Sequence, residues 1–133
     1  MPLRIVAFDH LPHHLLLYQL VLQQNGYEVC AYAHDPINLR EMQALQPDLI
    51  LWGNVTGLFK YELDLLERIR KHPYTQHVPL LILTTALEGM LNPYNLHSFA
   101  KISVLAKPFA AQQLLVAVKD TIGYFHHGSP APH

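Results

Sequence analysis

Ile102-Ser103-Val104-Leu105-Ala106-Lys107-Pro108-Phe109 is an apolar run that closes on a lysine, a proline and an aromatic ring. Ile102 to Leu105 reads as a strand, and Ala110 to about Phe125 as the amphipathic helix after it. Lys107-Pro108-Phe109 therefore stands at a strand end and leads into a helix, where α/β folds place functional groups.

Working outward, the same alternation fills the chain. Leu3 to Phe8 is a continuous apolar strand, as expected where both faces are covered. Leu11 to Asn25 is a helix with Leu15, Leu16, Leu20, Val21 and Leu22 as a broad apolar face, stopped by Gly26. Tyr27 to Ala33 is the second strand, and Pro36 to Leu45 the second helix, with Asp35 as N-cap and Pro36 at its first position. Asp48 to Trp52 is a strand, Leu58 to Lys71 a strongly amphipathic helix, and Val78 to Thr84 the fourth strand. A short helix over Pro93 to Ala100 precedes the run quoted first. Short connections and right-handed crossovers then predict a three-layer α/β sandwich, flavodoxin-like, with parallel strand order 2-1-3-4-5. One domain is expected over 1–125, and 126–133 as a flexible C-terminal tail whose histidines read as part of a loose end rather than a metal tract.

Composition narrows the function classes. At 133 residues the chain can bury roughly 68% of its unfolded surface without disulfides or metals. A net charge of −1 with no basic run gives nothing to draw nucleic acid or an anionic membrane. The apolar runs are far shorter than the roughly 20 residues that span a bilayer. Met1-Pro2-Leu3-Arg4 leads straight into a strand pattern, so no secretory leader is expected. The single cysteine, Cys30, fits a reducing cytoplasm and reads as a small core residue on an interior strand.

The strand ends carry Asp9 and His10, Gly53 and Asn54, Thr84 and Thr85, and Lys107. With Pro47-Asp48-Leu49-Ile50-Leu51-Trp52 leading into Gly53, this set resembles the receiver domains of two-component response regulators from about Leu3 to Ile122. The resemblance puts Asp9 and His10 on the family's two acidic metal-binding positions and Gly53 on the phosphorylated aspartate. Thr84 falls on the residue that hydrogen-bonds the phosphoryl group, Lys107 on its lysine, and Pro108 on the cis-proline that aims that lysine inward.

The family chemistry needs a carboxylate nucleophile and a hard divalent cation held by oxygen ligands. Only Asp9 of the three expected carboxylates is present. Gly53 has no side chain, and Asn54, within reach if the strand end bulges by one residue, cannot form an acyl phosphate. His10 offers nitrogen, which Mg²⁺ disfavours. The loop from Asn54 to Lys60 lacks the family's proline and Asp-Gly pair, and Val104 stands where the family often has a switching aromatic ring. Thr84 and Lys107 also have a plain reading as a strand-end threonine and a snorkelling lysine.

Other constellations give less. Asp9 and His10, with His14 four residues on, are weak candidates for a soft-metal site, whereas His13 and His14 read more simply as solvated first-turn residues. No glycine-rich loop follows the first strand, and no nucleophile elbow surrounds Ser98, Ser103 or Ser129. Leu87, Met90, Leu91, Tyr94, Leu96 and Phe99 make the segment before the fifth strand unusually apolar.

The reading that results is a degenerate, non-enzymatic pseudo-receiver: a stand-alone cytoplasmic signalling module that binds a partner protein, a histidine kinase or an effector, without phosphorylation. No cofactor is expected, Mg²⁺ included, and no nucleic acid or membrane. A homodimer would use the helix over 93–100, the fifth strand and the last helix, as the family commonly does. The alternatives are a conventional phosphorelay receiver and a metal- or small-ligand-binding domain.

Overall fold

Five parallel strands form one sheet in the order β2-β1-β3-β4-β5. They are β1 (Arg4–Phe8), β2 (Glu28–Tyr32), β3 (Leu49–Val55), β4 (Leu80–Thr84) and β5 (Ile102–Ala106). The helices are α1 (Pro12–Gln24), α2 (Leu39–Leu45), α3 (Lys60–Lys71) and α4 (Ala111–His126). The computed structural model describes residues 2–36, 38–55, 60–85 and 101–126. The helix expected over 93–100, its apolar approach and the tail beyond His126 lie outside the described residues.

Strand alternation divides the core into two layers. On one face Val6, Phe8, Ile50, Trp52, Leu80 and Ile82 pack against Leu39 and Met42 of α2 and Leu65, Leu66 and Ile69 of α3. On the other, Ile5, Ala7, Leu49, Leu51, Leu81 and Leu83 meet Leu15, Tyr18 and Leu22 of α1 and Leu114, Leu115, Val118 and Ile122 of α4. Arg4 anchors the start of β1: its amide donates to Asp48 Oδ2 at 2.8 Å, and its guanidinium reaches the Leu45 carbonyl and Glu28.

Gly26 closes α1 as expected. At φ +91° it sits where a side chain is strained, while its own amide and that of Tyr27 return to the carbonyls of Gln23 and Leu22. The core face of α1 differs from the expectation, because the helix is apolar nearly all round. Leu15, Tyr18 and Leu22 point inward at helical spacing, which turns Leu16 and Leu20 out to 56% and 50% exposure. Helix α2 starts three residues late, with Asn38 as its cap accepting from the Glu41 amide. Asp35 is unavailable as a cap because its carboxylate accepts from the Trp52 indole at 3.1 Å and meets His10 Nε2 at 3.1 Å. Cys30 is half-buried on the edge strand β2, not on an interior strand.

The third strand also runs further than the sequence suggests. Trp52 pairs with Ile82, but the next partners are Val55 and Thr84. Two residues, Gly53 and Asn54, thus oppose one, which is a β-bulge at the carboxyl end of the central strand.

Candidate functional site

The period of two that buries Ile5 and Ala7 beneath α1 aims Asp9, just past the end of β1, at the same layer. Gly53, two residues beyond Leu51, faces it: a Cβ built on Gly53 would lie 2.5 Å from Asp9 Oδ2. The backbone therefore presents position 53, as the family resemblance implies, to the Asp9 carboxylate. The side chain of Asn54 lies outside the described residues.

Asp9 is 1% exposed, and a buried carboxylate needs donors. Its Oδ1 accepts the Leu11 amide at 2.8 Å, which also organises the entry to α1. Its Oδ2 accepts the Tyr18 hydroxyl at 2.6 Å, a short charge-assisted bond. His14 Nδ1 lies 3.2 Å from the same oxygen, and Lys107 Nζ lies 3.8 Å from it. His14 and Tyr18 are one helical turn apart, so α1 sets both rings over the strand ends.

Lys107 arrives from the other side of the sheet centre, across a cis peptide bond to Pro108, with its amide bonded to the Thr84 carbonyl at 2.7 Å. Its ammonium is also 3.2 Å from His14 Nδ1. That nitrogen cannot accept from the lysine and donate to Asp9 at once. Burial holds the Lys107 amine below the usual lysine range, with Asp9 opposing that shift. The Tyr18 hydroxyl is pushed far above the usual tyrosine range by burial, then by its hydrogen bond to Asp9 and by that carboxylate's charge.

Tyr18 occupies the space that an acceptor side chain would need. The Cβ built on Gly53 lies 2.7 Å from the Tyr18 hydroxyl as well as 2.5 Å from Asp9 Oδ2. Glycine is the residue that fits there.

The remaining expected site residues separate. His10 turns away to Asp35. Thr84 is buried and donates its hydroxyl to the Val55 carbonyl, tying β4 to the bulge. His14 is the correction among the histidines: it bridges Asp9 and Lys107, whereas His13 beside it is exposed. Tyr18 carried no signal in isolation. Its position one turn after His14, on the face shared with Leu15 and Leu22 and opposite a glycine at position 53, is the pattern that points to it.

These residues do not fit the divalent cation that the fold family uses. Among the described residues Asp9 is the one carboxylate at this cluster, and its oxygens accept from the Leu11 amide and the Tyr18 hydroxyl. His10 is held elsewhere, and among the described residues no three His, Cys, Asp or Glu side chains converge. Beside the cluster an open cleft of about 410 Å³ is lined by His14, Leu17, Tyr18, Thr85, Lys107, Pro108 and Phe109. Among the described residues no helix is long and apolar enough to cross a membrane.

No protein-family model and no curated protein sequence matches the chain. Solved structures do. The chemotaxis protein CheY4 of Vibrio cholerae superposes with a TM-score of 0.75 at 22% identity, over 91% of this chain and 99% of that one. A CheY-like response regulator receiver domain protein from Methanospirillum hungatei gives 0.76 at 20% identity, over 96% and 98%. A candidate response regulator from Chloroflexus aurantiacus gives 0.74 at 27% identity, over 92% and 99%. The chain has the fold of a response regulator receiver domain.

Proposed function

We propose that this protein is a receiver-like signalling module that works by docking to a partner protein and has no phosphotransfer step. The observation that carries this reading is the filled space at Gly53. An aspartate there would have to displace the Tyr18 hydroxyl and place a second carboxylate against buried Asp9, and like charges so close do not both ionise. Asp9, Tyr18, His14 and Lys107 then hold one conformation, and a partner selects it by binding. The partner is a histidine kinase or an effector. Its docking surface is the exposed side of β5 and α4, where Val104 and Val116 stand 43% and 44% exposed. The single cysteine and the near-neutral charge agree with work in a reducing cytoplasm.

Beryllofluoride with Mg²⁺ mimics an aspartyl phosphate, so the test is a titration followed by backbone amide shifts. Amides of Asp9, Gly53, Thr84 and Lys107 that stay in place support the proposal. A saturable shift there that spreads into β5 overturns it and makes the protein a working phosphorelay receiver.

A further inference from the structure

We propose that α1 is a self-association surface, on which two copies of this chain pack their first helices against each other. Leu16, Leu17 and Leu20 are 56%, 42% and 50% exposed, and Leu11 at the helix entry is 37% exposed. Positions 16, 17 and 20 share one helical face, so these side chains form a stripe. The three leave on the order of 250 Å² of apolar surface in water, about half the apolar part of a standard interface of about 800 Å² per partner.

Charge selects the occupant. From Pro12 to Gln24 the helix carries no Asp, Glu, Lys or Arg, and its rim is His13, Gln19, Gln23 and Gln24. A charged partner helix would find nothing on α1 to pair with. A two-fold axis, in contrast, sets each side chain against its own copy or a near neighbour, and an uncharged face brings no like charges together. A recess adjoins the stripe. Leu17 belongs both to the stripe and to the cleft beside Pro108 and Phe109, which on this proposal receives a leucine of the second copy. This assigns the second copy to the stripe on α1 and does not depend on whether the Asp9 site takes up phosphate.

The experiment is sedimentation velocity of the full chain from about 1 to about 500 µM, where mass action populates a moderate dimer. We expect a concentration-dependent dimer whose dissociation constant rises at least about tenfold in Leu16→Glu/Leu20→Glu. Val104→Glu should leave it unchanged. Because both leucines are exposed the variant should fold, and Leu16→Gln/Leu20→Gln gives the same test without added charge. A monomer at every concentration overturns the proposal. So does a dimer that Val104→Glu breaks and the leucine variants do not, or one that none of them affects.

Discussion

Replacing Gly53 by alanine adds one methyl group, and the structure says where it goes. The new carbon would lie 2.5 Å from Asp9 Oδ2, 2.7 Å from the Tyr18 hydroxyl and 3.1 Å from Asp9 Cγ. Carbon contacts are comfortable at about 3.5 Å, so the overlap approaches an ångström. Both oxygens end side chains rather than backbone, but neither is free to swing. They are bonded to each other at 2.6 Å, and the far oxygen of Asp9 is held by the Leu11 amide at 2.8 Å. The methyl must therefore strain the packing, at about 1–3 kcal/mol, and open the Tyr18–Asp9 hydrogen bond, at about 1.5–3 kcal/mol more. The lost flexibility of glycine in the unfolded chain offsets about 0.4–1 kcal/mol of this. The net expectation is a loss of about 2–5 kcal/mol, a large share of the roughly 5–15 kcal/mol that holds such a domain together.

Urea unfolding measures it as a lower midpoint at unchanged slope. Tyr18→Phe sharpens the test. On its own it is costly, because Asp9 stays buried with one donor fewer. In that background, however, Oδ2 can turn away from position 53, so Gly53→Ala should cost less than in the parent, with a coupling of about 1–3 kcal/mol. A Gly53→Ala loss under about 0.5 kcal/mol, or two losses that simply add, would refute the claim that Tyr18 fills the acceptor's place.

Two further predictions use the same neighbourhood. Because the folded protein raises the Tyr18 pKa, through burial first and Asp9 second, it keeps a proton that the unfolded chain releases near pH 10. The Tyr18 contribution is fully present below about pH 10 and is lost as pH rises above it, so Tyr18→Phe should flatten the alkaline decline of the urea midpoint. Lys107, lowered by burial, acts with the opposite sign just below its ordinary value, which is why the test is the difference between parent and Tyr18→Phe and not the parent curve alone. On the other face of the sheet, Asp35→Ala removes the acceptor of the buried Trp52 indole. It should cost about 1–2 kcal/mol and shift the emission of the chain's only tryptophan; unchanged fluorescence and stability would count against that bond.

The strand order was readable because each strand is a dense apolar run and the connections are too short for many topologies. Asp9, Gly53 and Lys107 were readable because strand ends converge at one edge of such a sheet. What the chain hid has specific causes. Helix α1 is apolar nearly all round, so periodicity alone does not tell buried Leu15 and Leu22 from exposed Leu16 and Leu20. Asp35 has the right chemistry for a cap, but Trp52 and His10, distant in sequence, claim it first. Gly53 and Asn54 are poor strand formers, so the sequence reads as a strand ending at Trp52, although pairing with β4 resumes at Val55. Tyr18 and His14 were missed because their role exists only where helix and strand end meet.

The residues that match the family pattern need a reason to be where they are if no phosphate is handled, and burial supplies one. Asp9 has a side chain with no exposure, and Lys107 one that is 13% exposed. Removing either leaves the other as a desolvated charge with less compensation, which is more damaging than losing the pair together. Tyr18 and His14 extend that dependence, since their polar atoms face the same oxygen. Asp9 and Lys107 are thus held in place by one another and by packing, and their presence is not evidence for phosphotransfer. The discriminating quantity is the volume at position 53. In a phosphate-accepting domain that volume must be open to an incoming phosphoryl group; here two oxygens bonded to each other occupy it. On the proposed reading, a site closed in this way suits a module read by docking, its state chosen by the partner that binds it.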